Sequence, residues 1–173
     1  MRRARRGDGR AFEAVLRHYD AGLRALAYRL LEDRDRMDDA LQHAYLQAFR
    51  ALPRFRGDAA PSTWLYRIAY NACLDQLRRT RTVVPLETVR ERPAPGPGVV
   101  ETVQLRRDVA AALAALPPEE RAAVLLVDAQ GFDYRSAAEI LGVPEGTVAS
   151  RLNRARALLR RSLDTTAEGV SGR

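Results

Sequence analysis

Cysteine is almost absent from this 173-residue chain, in which Cys73 is the single example. One cysteine excludes an intramolecular disulfide, so a reducing cytoplasm is the natural setting for the protein. Cys73 lies among apolar residues in a segment with helical periodicity. We therefore predict a buried structural thiol rather than a redox switch.

Histidine is also scarce, since His18 and His43 are the only two and lie far apart in the sequence. Without a cluster of cysteine and histidine a metal site has little support, and we predict no cofactor. Paired acids at metal-binding spacing, a nucleophile with its general base and a glycine-rich phosphate loop are missing too. The sequence therefore argues against an enzyme, for example a DNA-modifying one, and favours a binding protein.

Long apolar runs are missing as well. No stretch approaches the roughly 18 to 20 apolar residues of a membrane-spanning helix. The basic segment 1–6 leads into polar residues rather than into the apolar core of a signal peptide. We expect a soluble, cytoplasmic protein with no membrane insertion.

Lysine does not occur, and all 29 basic residues are arginine, with a formal net charge of +7. Arginine offers a planar fork of donors that suits phosphates and guanine edges. The charge is uneven, because residues 1–82 hold 17 arginines and 10 acids, whereas residues 105–173 hold 10 and 9. This distribution indicates a polyanionic partner rather than a membrane.

Apolar residues recur at helical spacing in three segments of the N-terminal half, residues 10–31, 37–52 and 63–79. We expect Ser62 or Thr63 to cap the third helix. That helix is apolar over much of its circumference, so it is predicted to lie at the centre of its domain.

Prolines and glycines interrupt the pattern between residues 85 and 98, and helical periodicity resumes over 102–116 and 119–129. No segment shows the alternation of a strand. We predict an all-α protein with a first domain over 8–80, a flexible proline- and glycine-rich linker over 81–103 and a second domain over 104–164.

The most specific pattern is a helix-turn-helix near the C-terminus. A short helix over 134–141 is followed by the Gly142 turn and a helix over 147–160, which is the spacing that places a second helix in the major groove. One face of this second helix is apolar and the rest is basic, so it suits both docking and DNA contact. The alternative is an ordinary helical hairpin with a solvated basic face.

Several strings, in a fixed order, resemble those of the extracytoplasmic-function group of bacterial RNA polymerase sigma factors, in the sigma-70 family. The resemblance covers about residues 10–164 and is closest to the SigM-type branch of actinobacteria, on strings such as NACLD (71–75). The other strings that carry it are AFE (11–13), DDALQ (38–42), FRGD (55–58), TWLYRIAYN (63–71), LPPEER (116–121) and GVPEGTV (142–148).

The resemblance implies a transcription initiation factor that binds core RNA polymerase and promoter DNA, with an anti-sigma factor as its regulator. It implies that the first domain opens the −10 element and captures single-stranded bases, whereas the second reads the duplex −35 element. The residues implied for the −10 element are Phe55, Arg56, Gly57, Asp58, Ser62, Trp64, Arg67 and Asn71. Those for the −35 element are Thr147, Ser150, Arg151, Asn153, Arg154 and Arg156, and those for core polymerase are Asp38, Asp39, Gln42, Tyr45, Leu46 and Phe49.

Some positions depart from the family pattern or have a plainer explanation. Ala149 stands where the family usually has a basic residue, and His43 stands at a commonly acidic position. Arg135 and Ser136 replace a commonly acidic pair in the first helix of the helix-turn-helix. Core packing alone would explain Phe55 and Trp64. A rival interpretation of the whole chain is a helix-turn-helix repressor whose first half is a dimerisation or sensor domain.

Overall fold

The computed structural model describes residues 1–82 and 100–170, and these residues form helices joined by turns, with no strand among them. The middle of the predicted linker, residues 83–99, lies outside the described residues. The helices are α1 (Arg2–Arg5), α2 (Gly9–Leu31), α3 (Arg34–Ala51), α4 (Pro61–Thr82), α5 (Val100–Ala114), α6 (Pro118–Val124), α7 (Tyr134–Leu141) and α8 (Glu145–Val170).

The first domain packs α2, α3 and α4 against one another, and aspartates begin two of these helices. Asp8 accepts a hydrogen bond from the Ala11 amide before α2, and Asp33 accepts one from the Arg36 amide before α3, both at 3.0 Å. Each carboxylate satisfies an amide that has no partner within its helix.

The start of α4 differs from the prediction. The helix begins at Pro61, and the Trp64 amide donates to the Ala60 carbonyl at 3.0 Å. Ser62 and Thr63 therefore lie inside the first turn, and the prediction that one of them caps the helix was wrong. Proline supplies this start instead, because its fixed φ suits the first helical position and its missing N–H costs nothing there.

The third predicted helix, α4, lies at the centre of the first domain, as its apolar circumference predicted. Cys73 in α4 is fully buried, and burial raises the pKa of its thiol to about 12. The prediction of a buried structural thiol is therefore confirmed.

The second domain contains α5, α6, α7 and α8. The segment 119–129 is not one regular helix, because α6 ends at Val124 and a π-helical turn, Leu125–Ala129, follows it. The Gln130 amide closes this turn by donating to the Leu125 carbonyl at 3.0 Å.

The two domains dock on each other through one continuous apolar core. This core joins residues of α2, α3 and α4 to residues of α6, α7 and α8. The Tyr66 ring meets Phe132 edge-on with ring centroids 4.8 Å apart, and its hydroxyl donates to Gln130 Oε1 at 2.8 Å. A sequence-based division into domains says nothing about such docking.

Arg121 of α6 makes a second contact between the domains. Its guanidinium donates to the carbonyls of Leu116 and Arg29 at 3.1 Å each, and also to the Ala114 carbonyl and the Glu32 carboxylate. Glu32 ends α2 in the left-handed region at φ +56, which non-glycine residues rarely adopt. The buried arginine thus ties the end of the second helix to the second domain.

Candidate nucleic-acid and polymerase interfaces

The turn between α7 and α8 has the geometry of a helix-turn-helix. The Asp133 carboxylate accepts from the Ser136 amide at 2.7 Å at the start of α7, and this bond lowers the pKa of Asp133. Gly142 ends α7 at φ +67, and its amide donates to the Ala138 carbonyl. A side chain at Gly142 would strain this left-handed turn, so glycine fits the position.

The two faces of α8 are separated as the sequence predicted. Val148, Leu152 and Ala155 are fully buried against the rest of the domain. Of the six residues predicted to read the −35 element, Ser150, Asn153 and Arg154 are exposed and Thr147, Arg151 and Arg156 are half-buried. The structure therefore brings all six to one helix, and none of them lies in the core.

Two arginines of α8 are held by acids that the sequence analysis did not assign to the site. Arg156 makes a two-pronged ion pair with Asp128, with Nε–Oδ2 and Nη2–Oδ1 distances of 3.1 and 2.6 Å. The hydrogen bond to Asp128 raises the pKa of Arg156. Arg154 Nε lies 3.5 Å from Glu120 Oε1. These pairs join residues far apart in sequence, so no local pattern signals them.

Residues predicted to contact the −10 element fall into two groups. Arg67 and Asn71 are exposed one turn apart on α4, and Arg56 and Asp58 are exposed in the preceding loop. Gly57 lies beside them at φ +88, where its missing side chain avoids strain. Ser62 is half-buried at the start of α4. An exposed cation and amide at this spacing present donors from a single face of α4.

Phe55 and Trp64 do not offer an exposed aromatic surface in this structure. Trp64 is 7% exposed, and its ring packs on Phe55 with centroids 4.9 Å apart. Core packing, the plainer alternative, describes both side chains here. Their pairing fixes the loop that carries Arg56, because Phe55 is its first residue and Trp64 lies just after its end.

The stripe of α3 predicted to bind polymerase contains exposed apolar side chains. Leu46 and Phe49 are 50% and 48% exposed, which is unusual for residues of this kind. Asp38, Asp39 and Gln42 are exposed on the preceding turns, and Tyr45 is half-buried. Asp38 pairs with Arg24 at 2.7 Å, and the Tyr45 hydroxyl donates to Asp20 at 2.7 Å. An apolar end beside a charged end is typical of a protein-binding surface.

The residues that depart from the family pattern lie at or near the surface and make few polar contacts. His43 is exposed, with its Nε2 atom 3.2 Å from Gln47 Nε2. Ala149 is half-buried in α8. Arg135 Nε lies 3.7 Å from Glu139 Oε1, one turn along α7.

The described residues contain neither a cluster of metal ligands nor a helix that could span a membrane. Within the described part of the chain, no three histidine, cysteine or acidic side chains come together as metal ligands. Among residues 1–82 and 100–170, no helix combines the length and hydropathy of a membrane span.

A helix-turn-helix with an exposed basic face, docked on a helical domain with its own exposed polar and apolar surfaces, defines a two-domain DNA-binding protein. Comparison with known families makes this class precise. Residues 15–83 match the family described as sigma-70 region 2, and residues 106–159 match sigma-70 region 4. The chain belongs to the sigma-70 family of RNA polymerase sigma factors.

Known relatives place the chain in the extracytoplasmic-function group. It is 44% identical over 169 residues to the ECF RNA polymerase sigma factor SigM of Mycobacterium tuberculosis, covering 95% of this chain and 83% of that protein. It is 31% identical to the ECF RNA polymerase sigma-E factor of Escherichia coli, covering 90% and 88%. These matches confirm the resemblance, and the chain is a promoter-specific transcription initiation factor.

Solved structures share the fold across both domains. CnrH in complex with the cytosolic domain of CnrY matches with a TM-score of 0.73 at 28% identity, covering 94% of each chain. The sigma factor RpoE in complex with the anti-sigma factor NepR, from Bartonella quintana, matches with a TM-score of 0.74 at 31% identity, covering 89% of this chain and 97% of that one. The all-α, two-domain prediction is confirmed.

Proposed function

We propose that this initiation factor reads the −35 element with α8 and captures a −10 base with α4, and that it has no catalytic activity of its own. The observation that carries the proposal is the division of α8, whose apolar face is fully buried while Ser150, Asn153 and Arg154 point away from the core. A helix held in this way presents its polar side chains on the side that can enter the major groove.

Within α8 we assign base contact to the exposed Asn153 and Arg154, since amide and guanidinium groups match purine edges. Thr147, Ser150, Arg151 and Arg156 are assigned to positioning on the backbone. Each phosphate contact to duplex DNA adds about −0.9 to the slope of log affinity against log salt. Arg156 has Asp128 as a competing partner at 2.6 Å, so its contact with DNA requires exchange of that pair.

For the −10 element we assign base contact to Arg67 and Asn71, because both are exposed on one face of α4. We assign Arg56, Asp58 and Ser62, with the Gly57 backbone, to contacts beside that face, because they lie in the loop before α4 and in its first turn. Phe55 and Trp64 support the loop from beneath, given their burial and their 4.9 Å ring contact.

For core polymerase we assign the stripe formed by Asp38, Asp39, Gln42, Tyr45, Leu46 and Phe49. Leu46 and Phe49 supply its apolar centre, since each is about half exposed on the surface of α3. If polymerase covers these two side chains, each Å² of apolar surface that is buried should stabilise the complex by about 25 cal/mol. Asp38 and Asp39 supply its charged edge.

The docked arrangement of the two domains cannot serve both promoter elements at once. Elements centred about 25 base pairs apart lie about 85 Å apart along DNA that rises about 3.4 Å per pair. A domain of about 75 residues has a radius of gyration of about 11 Å. We propose that the unbound protein adopts the docked arrangement and that the domains separate when they bind polymerase and promoter.

We also propose an anti-sigma protein as a partner and the cytoplasm as the location. One solved relative is an RpoE sigma factor in complex with the anti-sigma factor NepR, and that chain shares this two-domain fold at a TM-score of 0.74. Binding to such a protein in place of polymerase would hold the chain inactive.

The proposal is tested with single variants in holoenzyme built from the full chain and core polymerase. Arg154→Ala should weaken recognition of the −35 element by roughly 1 to 3 kcal/mol, whereas Arg160→Ala, an exposed arginine further along α8, should not. Asn71→Ala should impair opening at −10 and leave duplex −35 binding intact. Equal losses from Arg154→Ala on promoters with and without a −35 element would contradict the assignment.

A further inference from the structure

The N-terminal helix α1 is anchored next to the loop that precedes α4. Ala4 is only 1% exposed, and it belongs to a buried cluster with Leu52, Phe55 and Trp64. Met1 is partly buried against the same cluster. The start of the chain is therefore packed beside the proposed −10 site.

This anchoring brings Arg5 and Arg6, at the end of α1, to the same end of the domain as Arg54 and Arg56. Arg5, Arg6, Arg54 and Arg56 are all exposed. Ala4, next to Arg5, packs in one cluster with Phe55, which lies between Arg54 and Arg56. We call these four residues the N-terminal arginine patch.

The members of the patch have no acidic partner, whereas some other exposed arginines of the first domain do. Arg17 pairs with Glu13 at 2.6 Å, and Arg24 pairs with Asp20 and Asp38. In contrast, the four patch residues make no ion pair within residues 1–82 and 100–170.

Acids near the patch do not neutralise it. Asp8 is occupied twice, since it accepts from the Ala11 amide at 3.0 Å and lies 2.9 Å from Arg3 Nη2. Asp58 is exposed in the loop and is the single acid between Arg54 and α4. Four unpaired guanidinium groups against one free carboxylate leave a positive surface that suits phosphates.

We propose that the N-terminal arginine patch binds backbone phosphates of the promoter strand that adjoins the −10 element. This proposal rests on the proposed function, in which Arg67 and Asn71 contact the −10 base. Both residues lie on α4, the helix that follows the same loop. A strand captured there continues past the loop, and its phosphates then meet the patch. Such contacts position the DNA and carry no sequence information.

The size of the effect follows from counterion release. Each phosphate contact contributes about 0.7 to the salt slope on single-stranded DNA and about 0.9 on duplex. Removal of two contacts should reduce the slope by about 1.4 to 1.8. Between 50 and 200 mM salt, the ratio of wild-type to variant affinity should therefore fall by about tenfold.

The test measures binding of holoenzyme to a fluorescent promoter fragment with a single-stranded −10 region, at several salt concentrations. Arg5→Ala with Arg6→Ala should lower the slope by that amount, and Arg54→Ala alone should lower it by about half as much. Both variants should leave the base preference at −10 unchanged. The matched control is Arg17→Ala with Arg34→Ala, which removes the same charge from exposed arginines outside the patch. Circular dichroism confirms that each variant keeps its helices.

The outcomes separate this proposal from the proposed function. An unchanged slope in both patch variants, while Asn71→Ala still abolishes −10 preference, would overturn the patch and leave the proposed function standing. A loss of affinity for core polymerase without DNA would also overturn it, because the patch would then bind protein. Failure of wild-type holoenzyme to prefer any promoter would instead contradict the proposed function.

Discussion

The Tyr66 hydroxyl of the first domain donates a hydrogen bond to the Gln130 side-chain oxygen of the second domain, over a distance of 2.8 Å. Burial raises the pKa of Tyr66 to about 12, so the hydroxyl keeps its proton at neutral pH. The same ring packs edge-on against Phe132. Tyr66 thus links the helix proposed to capture the −10 base to the domain proposed to read the −35 element.

Tyr66→Phe should weaken docking of the domains without altering either one. Loss of this hydrogen bond should cost about 1 kcal/mol, since the Gln130 oxygen loses a partly buried donor. Small-angle scattering should show a larger average radius of gyration. Tyr45→Phe is the control, because it breaks a 2.7 Å bond to Asp20 within the first domain. An equal expansion in both variants would contradict the role assigned to Tyr66.

Gly22→Ala should destabilise the protein although alanine favours helices. Glycine inside a helix costs up to about 1 kcal/mol relative to alanine. A Cβ atom at Gly22 would, however, overlap the Tyr66 hydroxyl and lie 2.7 Å from Gln130 Oε1. Because Tyr66 is buried against Phe132, it cannot move aside freely, and we expect a net loss of about 1 to 3 kcal/mol.

Gly146→Ala is the matched control for that substitution. A Cβ atom at Gly146 would meet nothing within 4 Å, so this variant should be neutral or slightly more stable. Urea denaturation of both variants measures the difference. A Gly22→Ala protein as stable as Gly146→Ala would show that the close packing at Gly22 is wrong.

Cys73 should resist thiol reagents in the native protein. Its side chain is fully buried and its pKa is about 12, so at pH 8 the reactive thiolate is almost absent. Labelling should therefore follow unfolding, with a slow rate in buffer and a rapid one in denaturant. Fast labelling of the native protein at pH 8 would contradict the packing of α4.

Asp128→Asn should strengthen binding to the −35 element. The substitution removes the carboxylate that holds Arg156 at 2.6 Å and frees the guanidinium for a phosphate. The pair is partly exposed, so its loss should change stability by less than about 1 kcal/mol. Holoenzyme titrations should show tighter binding and a salt slope steeper by about 0.9. Arg156→Ala should have the opposite effect, and weaker binding by Asp128→Asn would refute the exchange.

Local patterns in the sequence predict α8 and the turn before it well. Val148, Leu152 and Ala155 share a face at helical spacing, and all three are fully buried. Gly142 adopts the left-handed conformation that a helix-ending glycine suggests. These features depend on neighbours within one or two turns, so periodicity is sufficient to find them.

Contacts between distant segments could not be predicted in this way. Tyr66 and Gln130 are 64 residues apart, and nothing in either segment indicates the other. The burial of Phe55 and Trp64 depends on α1 and α3 as well as on their own segment. The acids that pair with Arg154 and Arg156 come from α6 and the turn after it. Each case depends on how helices pack, which one-dimensional patterns do not contain.

Run-off transcription by core polymerase on a random promoter library, with and without the full chain, tests most directly whether the two domains read two promoter elements. The chain should enrich templates with two sequence blocks. Asn71→Ala should remove selection at the block nearer the start site, and Arg154→Ala should remove it at the farther block. Stimulation without sequence enrichment, or loss of both blocks in each variant, would contradict a protein whose two domains read two promoter elements.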